Sequence, residues 1–199
     1  MSVILAMCLF SLSMSISPGP VNLITLSTGV NHGVRSAMPF VAGATVGFSI
    51  LLLFIGLGVG QVAAENTELM AILGYIGSGF ICYMGYKIAT SDGDVEIKRQ
   101  NRPTFLQGAA LQLLNPKAWI ACLAGVSAFN LSASYEALMV FSILYFVICY
   151  ASVSSWAVLG SRISKYISEE RKLQVFNQMM GAVLILISIY LLYMQSYYA

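Results

Sequence analysis

Six apolar runs occupy most of this 199-residue chain, near Val3 to Gly29, Ala37 to Gly60, Leu69 to Ala89, Phe105 to Phe129, Ala137 to Gly160 and Val175 to Met194. At about 1.5 Å per residue, a helix through any of them reaches or exceeds the roughly 30 Å hydrocarbon core of a bilayer. Composition agrees: 58% of residues are hydrophobic and 9% charged, whereas soluble domains carry charge on about a quarter of positions. The expected fold class is therefore an all-α integral membrane protein with six transmembrane helices. The longest polar stretch, Thr90 to Thr104, is too short to fold alone, so residues 1–199 are expected to form a single transmembrane domain. Met1-Ser2 puts no positive charge ahead of the first run and no small-residue cleavage site follows it, so that run reads as a mature helix rather than a signal peptide.

The remaining composition narrows the function classes. A net charge of +2, with ten Lys and Arg residues that never cluster beside aromatics, argues against nucleic acid as a partner. Cys8, Cys82, Cys122 and Cys149 stand singly in apolar sequence, without the spacing of a metal site. No Ser, His and acid set and no paired carboxylates occur within the spans, so no catalytic residue, metal or cofactor is assigned. The loops divide by charge. Arg35, then Lys87, Lys98, Arg99 and Arg102, then Arg162, Lys165, Arg171 and Lys172 follow the odd spans, while Glu65, Glu68 and Glu136 mark the other two loops. The positive-inside bias places the basic loops in the cytoplasm and both termini outside. Tyr190, Tyr193, Tyr197 and Tyr198 suit an outer aromatic belt, and Trp156 and Tyr166 an inner one.

Dividing the chain at 97/98 leaves three spans on each side, and an odd number per half forces opposite insertion. Residues 1–97 and 98–199 are thus expected to form a 3+3 inverted repeat. In each half the first span is broken at proline, by Ser17-Pro18-Gly19-Pro20 and by Asn115-Pro116-Lys117. Matched breaks of this kind mark transporter sites. Pro18, Pro20 and Pro116 lack N–H groups and should free the carbonyls of Met14, Ile16 and Gln112, which lipid does not tolerate unless they face the protein interior. A broken helix also presents positive and negative poles to its centre. N–H groups beyond Pro20 and Pro116 suit a carboxylate. Freed carbonyls and the amide oxygens of Asn22 and Asn115 suit an ammonium group, the two ends of an amino acid zwitterion.

Lys117 is the one formally charged residue well inside a span, about a dozen residues from its start and hence roughly 18 Å deep. Such a residue is functional by default, binding a carboxylate or exchanging a proton; the alternative is a lysine snorkelling to the cytoplasmic surface. His32, the lone histidine, lies near the cytoplasmic end of the first span and is a second candidate for proton coupling, or else an interfacial hydrogen-bonding group. Glycines recur at packing intervals, Gly29 with Gly33, Gly43 with Gly47 and Gly56 with Gly60, with Gly74 and Gly77 in the third span. Helix packing within one subunit is the expected use.

At these residues the sequence resembles the LysE/RhtB family of bacterial amino acid exporters, in the early S-P-G-P of Ser17 to Pro20 and the mid-chain N-P-K-A of Asn115 to Ala118. The likeness continues through Asn31-His32-Gly33-Val34-Arg35, Tyr83-Met84-Gly85-Tyr86-Lys87 and Phe105-Leu106-Gln107-Gly108. It implies export of amino acids or close derivatives across the bacterial inner membrane by alternating access and in exchange for protons, often as a homodimer. The segments Asn31 to Arg35 and Lys87 to Ser91 look most like the branch handling cysteine and O-acetylserine. The chain departs from the family pattern at Val21, where members commonly place Asn or Asp; here Asn22 follows instead, turned by about 100° on a helix. Competing readings are a thiol-redox carrier using Cys8 and Cys122, which sit at unequal depths, and a cation exporter, for which intramembrane carboxylates are missing.

Overall fold

A computed structural model describes residues 3–58, 65–91, 102–167 and 169–198, with side chains as far as 194. Gly60, Lys98, Arg99, the 97/98 division and the side chains of Tyr197 and Tyr198 lie outside the described residues. The elements in chain order are α1 (Val3–Ile16), α2 (Pro20–His32), α3 (Val34–Gly56), α4 (Thr67–Ala89), α5 (Phe105–Leu113), α6 (Pro116–Ala128), a 3-10 turn (Leu131–Ala133), α7 (Tyr135–Ile163) and α8 (Glu170–Tyr198). The protein is all-helical among the described residues. α3, α4, α7 and α8 are each long and apolar enough to cross a membrane, and the pairs α1/α2 and α5/α6, bent by 62° and 63°, bring the number to six if each pair is one broken span. This is a multi-pass membrane protein.

Local chemistry fixes the helix ends. α1 stops at Ile16 because Pro18 and Pro20 cannot continue its hydrogen-bond ladder, and Pro20 restarts the chain as a first-turn proline. α2 closes on Gly33, at φ 76°, whose N–H returns to the Gly29 carbonyl. Thr104 and Gln107 form a reciprocal capping box at α5, while Asn66 caps α4 and Ser134 caps α7. The described helices overrun several of the expected apolar limits: α7 begins at Tyr135 and α8 at Glu170. Charged first and last turns such as Glu136, Arg162 and Glu170 suit the helix dipole at a wet interface, so hydropathy alone underestimates these lengths.

Packing crosses between the halves. α1 and α2 lie principally along α7, α5 and α6 along α3, and α4 pairs with α8. Glycine permits the closest approaches. A Cβ at Gly43 would strike the Phe105 carbonyl of α5, and one at Gly47 would stand 2.7 Å from the Ala109 oxygen. Likewise Gly108 abuts the Phe40 carbonyl, Gly29 the Ala157 backbone and Gly160 the Leu26 carbonyl, while Gly85 and Gly181 bring α4 onto α8. Thus Gly43 with Gly47 packs within the subunit as expected, whereas Gly33 serves as a turn with open space around it. At the opposite end of the bundle the contacts are between rings: Phe10 of α1, Phe129 after α6 and Phe141 of α7 cluster, with Phe10 and Phe129 edge to face at 5.8 Å. Outward, α8 presents Val175, Met179, Leu186 and Ile189, all exposed, an apolar surface suited to lipid.

A polar staple joins α2 to α8. Asn31 and Asn177 exchange amide hydrogen bonds of 2.7 and 2.9 Å; Asn31 also donates to the Ser27 carbonyl and Asn177 to the Ser91 carbonyl. Asn177 is only 1% exposed. Asn177→Ala is expected to destabilise the protein by about 1–3 kcal/mol by removing the donor to the Asn31 amide oxygen and to the Ser91 carbonyl. A thermal melt in detergent checks this, and an unchanged midpoint would show that the pair carries no net stability.

Candidate functional site

The two breaks meet. A cavity of about 40 Å³ lies between them, walled by α3 and α7, and Cys149, the middle residue of α7, lines it. Its polar lining comprises Ser15, Asn22, Gln112, Asn115, Lys117, Tyr145 and Cys149; Met14, Val21, Phe48, Ala118, Ala121 and Val153 supply the apolar wall. Phe48 and Tyr145 stack at 4.1 Å and nearly parallel, tying α3 to α7 across the site. At roughly 10–15 Å³ per water, the space holds about three waters, so a larger solute requires the helices to part.

Every carbonyl around the first break has a partner. The Ser17 hydroxyl donates to Met14 O at 3.1 Å, the Trp156 indole to Ile16 O at 3.2 Å, and the Asn22 amide to Ser15 O at 3.0 Å and Ser17 O at 2.7 Å. Trp156, expected at the inner interface, is therefore a capping group at the break. Lys117 completes the set. Its Nζ crosses from α6 and donates to Ser17 O at 2.6 Å and Pro18 O at 3.3 Å. It points across the interior in this structure rather than snorkelling. Among the described residues no carboxylate pairs with it; the one ion pair is Lys172 with Glu169 at 2.7 Å. Gly19 makes room: a Cβ there would stand 3.3 Å from both Cδ and Nζ of Lys117.

The second break is organised differently from the expectation. The Gln112 carbonyl is not left free, because the Leu114 and Asn115 N–H groups turn back onto it, and the Trp119 indole takes the Leu113 carbonyl at 2.8 Å. Nor is the Asn115 amide oxygen open to an ammonium group; it caps α6 by accepting the Lys117 N–H at 3.1 Å, while the Asn115 amide nitrogen donates to Gln112 Oε1 at 3.3 Å.

The structure thus gathers Ser17, Pro18, Gly19, Asn22, Asn115 and Lys117 around one space, with Pro20 and Pro116 setting the helix starts beside it. His32 is not brought there. It ends α2, about 18 Å further along that helix, and lines a second cavity of about 20 Å³ with Asn31, Lys87 and Ser91. Val21 lies on the cavity wall while Asn22 folds back onto the break, so the departure from the family pattern puts an apolar surface where the polar residue is common. Sequence reasoning missed Ser15, Gln112, Phe48, Tyr145 and Cys149. Gln112, an amide three residues before Asn115 in an apolar span, was a usable signal; the others carry none without knowledge of helix rotation. The Ser15 hydroxyl is buried on the same cavity, beside Tyr145 and Cys149. All four cysteines are free, and no group of three or more His, Cys, Asp or Glu side chains forms among the described residues.

Comparison with known proteins places this geometry in context. The family model described as LysE type translocator matches residues 12–195. The chain is 23% identical over 189 residues to a homoserine/homoserine lactone efflux protein of Salmonella typhimurium, covering 92% of each chain. It is 25% identical over 187 residues to a cysteine/O-acetylserine efflux protein of Klebsiella pneumoniae, covering 92% of this chain and 94% of that protein. A protein of the same description from Escherichia coli O139:H28 is 26% identical over 183 residues, 91% of each chain. No solved structure matches the chain.

Proposed function

The chain belongs to the LysE type translocator family, and from that premise we propose that it exports neutral amino acids or their close derivatives through the cavity between its two breaks, by alternating access. The observation that carries this reading is the placement of Lys117 against the Ser17 and Pro18 carbonyls at mid-bundle, which puts a cation and a cluster of main-chain acceptors side by side. An α-amino acid is complementary to that pair. The rest of the lining argues for a neutral side chain: Met14, Val21, Phe48 and Val153 are apolar, and among the described residues no carboxylate faces the space to hold a second positive charge. Homoserine, homoserine lactone, cysteine and O-acetylserine, named for the relatives, are the first candidates.

The inner membrane of a bacterium, with both termini outside and the basic loops in the cytoplasm, fits the distribution of Lys and Arg. The crossed packing of α1/α2 on α7 and α5/α6 on α3 fits two inverted three-helix repeats, and the exposed faces of α4 and α8 leave room for a second copy of the chain. Exchange for protons is proposed with Lys117 as its carrier in the cavity; His32 would act only at the far end of α2. The test is counterflow of labelled homoserine, cysteine, O-acetylserine and lysine in proteoliposomes, with and without an imposed pH gradient. We expect at least one neutral compound to exchange about tenfold above protein-free vesicles, lysine to stay near background, and the gradient to accelerate net movement. Transport of lysine in preference to all neutral compounds would overturn the substrate class, and indifference to the gradient would overturn proton exchange.

A further inference from the structure

We propose that the Lys117 ammonium is a tethered stand-in for the ammonium group of the cargo: it fills the cargo's own subsite until the cargo displaces it, and the displaced lysine then becomes the carboxylate receptor. The inference rests on the export reading and deepens it by coupling the two ends of the substrate through one side chain.

The geometry leads there in three steps. First, Ser17 O is the hub of the break. It accepts from both Asn22 at 2.7 Å and Lys117 at 2.6 Å, with Pro18 O beside it at 3.3 Å from Nζ. This is a ready acceptor set for one primary ammonium group, and Lys117 already occupies it. Second, the lysine's only compensation there is from carbonyl dipoles. With no carboxylate paired to it among the described residues, a cation in this setting gains more from a full negative charge than from two neutral oxygens. A zwitterion offers both parts of the exchange, an ammonium to replace the lysine at Ser17 O and a carboxylate for the lysine to follow. Third, the surroundings are built for the swap. Gly19 leaves the lysine stem unobstructed on the side of the break, and the cavity beside it is lined by further polar side chains, Asn22, Gln112 and Tyr145 among them.

A consequence follows for recognition. A carboxylate alone finds the lysine engaged, and an amine alone gains the subsite but leaves the lysine stranded. The two halves of a zwitterion should therefore bind with positive coupling, even when supplied as separate molecules.

The two tryptophans of the chain, Trp119 and Trp156, cap one break each and report on both by fluorescence. We would titrate the purified wild-type protein in detergent with sodium acetate, in the presence of ethylammonium chloride or of sodium chloride at equal ionic strength. Ethylammonium is expected to lower the half-saturating acetate concentration at least about fivefold, within the usual range of site-to-site coupling. In Lys117→Met that coupling should vanish while ethylammonium still binds. An acetate curve unaffected by ethylammonium in the wild-type protein, no acetate response at all, or the same coupling in Lys117→Met, each overturns the proposal. Should Lys117→Met not fold, the wild-type titrations decide alone. Loss of coupling with neutral amino acid counterflow intact removes the stand-in and leaves the export reading; coupling without counterflow of any amino acid does the reverse.

Discussion

Lys117→Met is expected to reduce counterflow of the neutral substrate by at least about thirtyfold, the effect of removing one partner of a partly buried charged contact at about 2 kcal/mol. The variant keeps a side chain of similar length and apolar stem, so the α6 helix, its Asn115 cap and its first-turn proline stay in place. Removing the charge leaves Ser17 O with Asn22 and Pro18 O without its ammonium donor, so folding should survive while cargo recognition fails at the carboxylate. Membrane insertion and melting measured beside counterflow separate the two effects. Export within threefold of the wild-type rate, from a correctly inserted protein, would take Lys117 out of the transport cycle.

The second large effect is on assembly of the bundle. Gly43→Ala should cost about 3 kcal/mol or more, because the added methyl group has backbone rather than a flexible side chain in its way and α3 and α5 must separate to admit it. Gly79→Ala is the matched control: a Cβ there meets nothing within 4 Å, and the exchange should be neutral or stabilising by up to about 1 kcal/mol through helix propensity. Melting of both variants in the same detergent reads the contrast. Equal midpoints would mean that the α3–α5 approach is looser than the backbone contact implies.

The extent to which the sequence anticipated this site follows from what each signal encodes. The breaks were legible because proline forbids a hydrogen bond wherever it stands, so Pro18, Pro20 and Pro116 declare a discontinuity without reference to any neighbour. The depth of Lys117 was legible by counting residues along a helix. Its direction was not, since a lysine stem can reach either a surface or a neighbouring helix, and only the placement of α1 beside α6 selects the Ser17 carbonyl. The destination of the freed carbonyls was opaque for the same reason: the partner of Ile16 O is Trp156, 140 residues away. Asn31 and Asn177 show the limit most clearly. Each alone reads as a polar residue near a helix end, and their pairing across 146 residues exists only once α2 and α8 are in register. The family resemblance supplied the transport class; the wall of Val21, Phe48 and Val153 depends on how three helices are rotated against one another, which no single residue declares.

The two ends of the bundle are packed with different materials. Where α2 and α5 lie, main chain rests on main chain through Gly29, Gly43, Gly47, Gly108 and Gly160, and nothing short of whole-helix displacement can make a passage. Where α1 and α6 lie, the packing includes three phenylalanine rings, which can swing about their own side-chain bonds. Ring rotation is a fast, local event and rigid helix movement a slow, collective one. A passage past the rings would ask only for side-chain rotation, whereas one past the glycines would ask whole helices to move, so the two ends differ in the kind of motion any opening would demand.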